Sequence, residues 1–339
     1  MRYIVIGAGA VGGSIGGRLR ESGQDVVLVA RGAHGAALRD HGLRLATPDG
    51  VLELPGPAVD GPEALELRPD DVLVLAVKTQ DSVAALDAWA ARPVVGGGTA
   101  GEVLPLVCAQ NGVVNERLAL RRFRRVHGMC VWLPSQYLRA GTVVAPCAPL
   151  TGMLHLGLFP GGVDDTVRRI AADLEGARFL APVVPDVMRW KYAKLLANLA
   201  NALEAACGEA IRDGEDAGRA QELLGRARTE GTTVLAAAGI DWATEAELAE
   251  VRDGRMEMRP VAGAERGGGS SWQSLIRGTG SIEADYLNGE IVQLGRLHGV
   301  PTPVNETLQR VANDCAREGR RPGSLSVAEL TGLVDPERD

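Results

Sequence analysis

Three groups of residues in this chain have the types and spacing that chemistry needs. The first is Gly7-Ala8-Gly9-Ala10-Val11-Gly12, directly after the strand-like run Arg2-Tyr3-Ile4-Val5-Ile6. Glycines at G-x-G-x-x-G spacing between a strand and a helix form a phosphate cradle. The first allows a tight turn, the second lets a pyrophosphate approach the backbone, and the third lets the helix pack close to the sheet. Free amides at the helix start then face the anion. A helix-like stretch over 10–20 and the strand Val26-Val27-Leu28-Val29 complete a βαβ unit of the size that binds a dinucleotide. Arg31 follows it. An NAD site usually carries an acid at the end of the second strand, to bond the ribose 2′-hydroxyl, but Val29-Ala30-Arg31 has none and Asp25 lies at the strand's other end. A guanidinium here suits a 2′-phosphate, so NADP(H) is expected over NAD(H). A solvated surface arginine is the plain alternative.

The second group is Arg189-Trp190-Lys191-Tyr192-Ala193-Lys194-Leu195-Leu196-Ala197-Asn198. Lys194 and Asn198 are four apart and share a helix face. An ammonium beside an apolar surface can hydrogen-bond a carbonyl oxygen and deliver a proton as hydride arrives at carbon. By residue type alone, Lys194 reads equally as a solvent-facing lysine next to an Asn cap. The third group is Ser270-Ser271-Trp272, followed by Ile282-Glu283-Ala284-Asp285-Tyr286-Leu287-Asn288-Gly289. Glu283, expected to begin a long helix, can orient a substrate hydroxyl or a lysine, or serve only as a helix-dipole partner. Two strand ends add Lys78 and Asn111, in Val77-Lys78-Thr79-Gln80 and Gln110-Asn111-Gly112. Either can face a cofactor cleft, although Asn-Gly is also a common turn pair.

The elements that must position these groups are legible in outline. Val72-Leu73-Val74-Leu75-Ala76-Val77 is a continuous apolar run, as for a strand covered on both faces. Residues 103–108 and 125–131 read as further strands, with helices over 81–90 and 115–122 between them. This alternation predicts an α/β fold: an N-terminal Rossmann-type doubly wound sheet followed by an all-helical domain. Residues 142–145 and 154–158 are expected as antiparallel strands at the far edge. Beyond Pro182 and Pro185 helical periodicity covers 187–207, 217–238, 244–252 and 281–298, with a last helix after Pro303. The expected domains are a cofactor-binding domain over 1–183, a helical substrate domain over 184–320 and a polar tail over 321–339. The Gly-rich stretch 259–269 reads as a mobile loop.

Composition narrows the class. At 339 residues two domains are expected, and a net charge of −7 disfavours nucleic-acid and membrane-surface roles. The run Arg121-Arg122-Phe123-Arg124-Arg125 reads as a solvated helix end. The five cysteines are scattered without metal spacing, so no metal site is expected and a reducing cytoplasm is the plain compartment. A strand starting at residue 2 leaves no room for a signal peptide, and no apolar run approaches a membrane span. The chain is compatible with a monomer or a homodimer.

Taken in order, Gly7 to Gly12, Arg31, Val77-Lys78, Gln110-Asn111-Gly112, Lys194-Leu195-Leu196-Ala197-Asn198, Ser270-Ser271 and the 283–289 segment resemble the 2-dehydropantoate 2-reductase (ketopantoate reductase) family. The resemblance implies NADPH-dependent reduction of a 2-keto acid to a 2-hydroxy acid, in pantothenate biosynthesis. It implies Lys194 as general acid and carbonyl binder, with Glu283 holding the substrate or Lys194. Asn198 and Ser271 would bind substrate, Lys78 and Asn111 would line the cleft, and Arg31 would meet the 2′-phosphate. Three departures fall on the substrate side. Ala202 stands where the family commonly has a second Asn, with Asn201 one residue early. Gly268 replaces an Asn, and Ser274 an Asp. Another carbonyl substrate, a related two-domain dehydrogenase or a non-catalytic NADP-binding regulator are the competing readings.

Overall fold

The structure is a computed structural model that describes residues 1–211, 216–264 and 267–335. The chain forms two compact units. The first takes in residues 1–191 and returns for 243–264; the second takes in 192–242 and the residues from 267 on.

The first unit begins β1 (Arg2–Ile6), α1 (Ala10–Glu21), β2 (Asp25–Val29), α2 (Gly32–His41), β3 (Leu43–Thr47), β4 (Gly50–Leu54) and β5 (Ala58–Val59). It continues with β6 (Asp71–Leu75), α3 (Ser82–Ala90), α4 (Ala100–Val103), β7 (Pro105–Cys108), α5 (Asn115–Leu120) and β8 (Arg125–Trp132). Then come β9 (Gln136–Arg139), β10 (Thr142–Val144), β11 (Cys147–Pro149), β12 (Gly152–Leu158), α6 (Asp165–Gly176) and β13 (Phe179–Leu180). The main sheet runs β5-β2-β1-β6-β7-β8-β12-β13, and every pair is parallel except β8 with β12. From β5 to β8 this is the doubly wound order, with the reversal of direction between β1 and β6.

Strand alternation explains why this sheet carries helices on both faces. Tyr3 and Val5 pack with Ile15 and Leu19 of α1, while Ile4 and Ile6 pack with Leu86, Trp89 and Phe123 on the other side. Side chains alternate between faces along a strand, so a doubly covered strand needs apolar residues at every position. At the start of the two central strands Arg2 Nε donates to Asp71 Oδ1 (2.7 Å) and Nη2 to Oδ2 (2.8 Å), a buried two-pronged pair.

The expected strand over 154–158 is present, antiparallel to β8. Residues 142–144, in contrast, join a separate sheet of order β4-β3-β10-β9, parallel to β3. The half-polar β3 and β4 gave no apolar run to mark them.

The helix α7 (Val187–Asn198) spans the division between the units. This lies beyond the 183/184 boundary read from the sequence, because the first turns of α7 are held by first-unit groups. Lys191 makes a buried ion pair with Glu116 of α5, and Arg189 pairs with Glu247 of α10 (Glu245–Arg252). A three-residue strand, β14 (Met256–Met258), pairs with β11 and keeps this returning segment with the first unit.

The second unit holds α8 (Ala200–Cys207), α9 (Ala217–Ala237), α11 (Ser270–Ile276), α12 (Asn288–His298), α13 (Pro303–Arg317) and α14 (Val327–Val334). Its core is Ala- and Leu-rich, from Ala202 and Leu203 to Leu308 and Leu330. Two single-helix expectations are corrected. The 187–207 stretch breaks at Leu199, whose carbonyl accepts from Asn288 Nδ2 (3.2 Å). The 281–298 stretch is a short 3₁₀ turn, Glu283–Tyr286, before α12 begins at Asn288. The tail read as polar carries α14, whose Ser326 caps it by accepting from Glu329 N; residues 336–339 lie outside the described residues. Of the 259–269 segment, residues 265 and 266 do too. No helix among the described residues is long and apolar enough to cross a membrane.

Candidate active site

The glycine loop lies at the reversal of strand order. Gly7 has φ +97°, and a Cβ on it would stand 2.8 Å from Val77 N, in the segment following β6. Gly7 N and Ala8 N donate to Val29 O at 3.1 and 3.0 Å, tying the loop to the end of β2. At Gly12 a Cβ would come 2.1 Å from Gly7 O, so only glycine lets α1 sit this close. At Gly9 nothing lies within 4 Å of the same position. Gly9 is the N-cap of α1, no side chain caps the helix, and its first turn, starting Ala10-Val11-Gly12, has no acid. The amides at this helix start therefore have neither a capping side chain nor an acid of their own first turn, which fits a pyrophosphate.

A histidine that sequence reasoning passed over supports the loop. Buried His34 of α2 accepts from Gly141 N at Nδ1 (2.9 Å), so its Nε2 carries the proton and donates to Ala8 O (2.8 Å).

Arg31 is exposed at the end of β2 and is the N-cap of α2. Its Nε donates to Asp60 O at 3.3 Å. The acid missing from the end of β2 thus has a spatial counterpart on the neighbouring strand, since β5 pairs with β2 and Asp60 follows it. The Asp60 carboxylate is paired with Arg39 of α2. No reading along the chain finds this residue, because it belongs to the next strand.

Lys78 and Asn111 stand in the segments after β6 and β7, joined beneath by a buried polar network. Asn115 Nδ2 donates to Asn111 O and Thr79 Oγ1, both 3.2 Å, and its Oδ1 accepts from Ser82 Oγ at 2.8 Å. Gln110 Nε2 donates to Val77 O and Ser82 Oγ, both 2.8 Å. Ser82 and Asn115 are fully buried. Nothing in the sequence marks them as buried, since a polar residue at the start of a helix is ordinary.

In the second unit Lys194 is half-buried on α7, and Asn198 ends the helix one turn later, 5% exposed. The Asn198 Nδ2 is buried without a partner among the described residues. Such a donor costs about 1–3 kcal/mol until an acceptor meets it. Ser270 Oγ donates to Glu283 Oε2 at 3.2 Å, with Glu283 4% exposed and Ser271 2% exposed. The structure thus joins the two parts of the third group, Ser270 and Glu283, at one carboxylate.

The substrate-side departures also take physical form. Because α7 and α8 are separate helices, Asn201 does not follow the phase of Lys194 and Asn198. A Cβ on Gly269 would lie 3.2 Å from Asn201 Oδ1, beside Ser270, while Ala202 is buried in the helical core. Gly268 carries no side chain because Trp272 lies across it: a Cβ there would be 2.4 Å from Trp272 Cγ. Ser274 turns its hydroxyl back onto Ser270 O (3.1 Å).

Among the described residues no His, Cys, Asp or Glu cluster has metal-binding geometry. All five cysteines are buried free thiols. Burial pushes Cys147 up to about 11 and Cys207 to about 12, and raises Cys108 as well, so these stay protonated.

Residues 3–150 match the family model described as ketopantoate reductase PanE/ApbA, and residues 186–316 match that of its C-terminal part. A 2-dehydropantoate 2-reductase from Mesorhizobium japonicum is 30% identical over 94% of this chain and 98% of its own. A PanE/ApbA family ketopantoate reductase from Ralstonia eutropha superposes with a TM-score of 0.73 at 24% identity, covering 94% of this chain and 99% of that one. A D-mandelate dehydrogenase structure, with NADH and anilino(oxo)acetate, gives 0.74 at 19% identity, with the same coverage of both chains.

Proposed function

Because the chain belongs to the ketopantoate reductase family, a family of oxidoreductases, we propose that it reduces a 2-keto acid to a 2-hydroxy acid with NADPH, and that Lys194 is the general acid. The observation that carries the reading is that both halves of the motif set are present, each formed within its own unit. A phosphate cradle with an open Gly9 lies in one unit, and Lys194, Asn198 and the Ser270–Glu283 pair lie in the other. The fit to the cofactor rests on the uncapped start of α1 and on Arg31 at the end of β2. When bound, the reduced nicotinamide supplies the hydride.

The chain's own groups supply the rest. The Lys194 ammonium hydrogen-bonds the keto oxygen, stabilises the charge that develops there, and gives it a proton. Asn198 offers its unpartnered amide to the substrate, and Ser271 and Asn201 line the same side. Glu283, oriented by Ser270, holds the substrate or the lysine. Asn111 and Lys78, fixed by the Asn115 network, face the cofactor and substrate. 2-Dehydropantoate, the substrate named for the Mesorhizobium relative, is the first to assay, which would place the chain in pantothenate biosynthesis.

The test is Lys194→Ala. NADPH oxidation with a 2-keto acid should fall by about 10³-fold or more in kcat, within the range typical of a lost general acid. NADPH affinity should stay within about threefold. Unchanged turnover removes Lys194 from the mechanism.

A further inference from the structure

Resting on the keto-acid reading above, we infer that Asn288 is a positioning residue for that reaction. Through a buried amide relay it fixes the backbone at the end of α7, and with it the Asn198 amide that binds substrate. The relay runs atom by atom inside the second unit. The Glu230 carboxylate of α9 accepts from Val304 N at Oε1 (2.9 Å), and from Asn305 N (3.0 Å) and Asn305 Nδ2 (2.8 Å) at Oε2. Asn305 Nδ2 also donates to Ala227 O at 2.9 Å. With that nitrogen committed, Asn305 Oδ1 is the side left to accept, and it accepts from Asn288 Nδ2 at 3.0 Å. This fixes which way the Asn288 amide is turned, and the same Nδ2 donates to Leu199 O at 3.2 Å.

Stability does not account for the relay. Asn288 and Asn305 are both 0% exposed, and Asn288 Oδ1 is buried without a partner among the described residues. A buried acceptor left unbonded costs stability, whereas apolar side chains of similar shape would carry no such cost. What an amide adds is direction, because its bond to Leu199 forms at one placement of that carbonyl.

Direction is what the chain lacks at this point. The helix α7 ends at Asn198 and α8 begins at Ala200, so no continuous helix holds Leu199. Packing brings the parts together: a Cβ on Gly231 of α9 would lie 2.7 Å from Leu196 Cδ2, 3.2 Å from Leu199 Cδ1 and 3.7 Å from Ile291 Cδ1. Apolar contact of this kind is non-directional and leaves the rotation of a peptide group open. The Asn198 Nδ2 is buried and has no partner of its own among the described residues, so its placement follows the backbone. The relay supplies the missing constraint one residue on. It also begins α12 directly after the turn that bears Glu283.

The experiment is a double-mutant cycle in the full-length enzyme with NADPH. It uses whichever of 2-dehydropantoate, benzoylformate and pyruvate the parent reduces best, well below each variant's Tm. Asn198→Ala should raise the keto-acid KM by about tenfold. Asn288→Ala should raise it by about fivefold or more, with kcat and the NADPH Kd within about threefold, since Lys194 lies a turn upstream. The double variant should stay within about twofold of Asn198→Ala alone, because the second change acts only through the first. Where Asn288→Ala does not fold, Asn305→Ala, which removes the anchor and leaves the Leu199 bond, takes its place with a KM rise of about threefold. Effects on KM that multiply in the double variant, or an unmoved KM in the Asn288 and Asn305 variants, overturn the inference and leave the keto-acid reading standing. So does an unmoved KM in Asn198→Ala, which leaves nothing there to position. Reduction of none of the three acids, with NADPH still bound, overturns the keto-acid reading and the inference with it.

Discussion

At Gly9 nothing lies within 4 Å of where a Cβ would stand, whereas at Gly268 that place is 2.4 Å from Trp272 Cγ. The same residue type serves opposite ends. In the first unit the missing side chain leaves backbone amides open to an anion. In the second it lets a large side chain lie against the backbone. The first use depends on the peptide group and on phosphate charge, which do not vary, so its spacing reads the same in any chain. The second depends on which residue comes four positions later, so it is particular to this chain. A phosphate cradle is therefore legible from a pattern, and the role of Gly268 only from packing.

Substitutions can break or sharpen this contrast. The largest effect is expected at Gly12→Val. Two β-branched methyls added where even one Cβ meets Gly7 O at 2.1 Å must drive α1 off the loop. NADPH binding by titration calorimetry should weaken by about 100-fold or more, with a lowered Tm. Acid should also act on the first unit. Burial pushes His155, stacked on Trp190 at 3.9 Å, down to about 3. The unfolded chain takes up that proton below about pH 6.5 and the folded chain only near 3, so first-unit stability should fall as pH drops through that window. The loss should be on the order of several kcal/mol. Denaturant unfolding of His155→Phe at pH 7 and pH 4.5 should show a smaller acid loss than the parent; equal losses would rule out His155 as the cause.

Gly9→Ala, placed in open space, should leave Tm nearly unchanged while weakening NADPH binding by about tenfold. A matching loss of Tm would mean that Gly9 is structural, like Gly268. The smallest effect is expected at the 2′-phosphate end. Arg31→Ala should weaken NADPH by about tenfold or less and leave NADH within about twofold, since one exposed guanidinium acts through screened charge. An unchanged NADPH/NADH ratio would count against the NADP(H) assignment and turn attention to Asp60.

Much of the first unit could be read from residues because its determinants are local. The apolar runs 72–77 and 125–131 had to be strands buried on both faces, and the glycine spacing fixed the turn between β1 and α1. What escaped was non-local or weakly patterned. Asp60 reaches Arg31 across a strand pair, and β14 is too short to show alternation. The Asn115 network uses polar residues that only a buried setting explains. In the second unit the residue types at 194, 198, 270, 271 and 283 were visible, and the Ser270–Glu283 bond joined two of them. The helical phase carried across Leu199 was not sound, since periodicity holds only while the helix does.

That break has a consequence for how such a chain can change over evolutionary time. In an unbroken helix, moving an amide by one position swings it about 100° and off its wall. Here Asn288 takes up the carbonyl left open at Leu199, and α8 restarts with its own phase. The joint works as a register-free coupling. An insertion, deletion or exchange near residue 200 can relocate Asn201 by one place without changing the helical phase of Lys194 and Asn198 upstream.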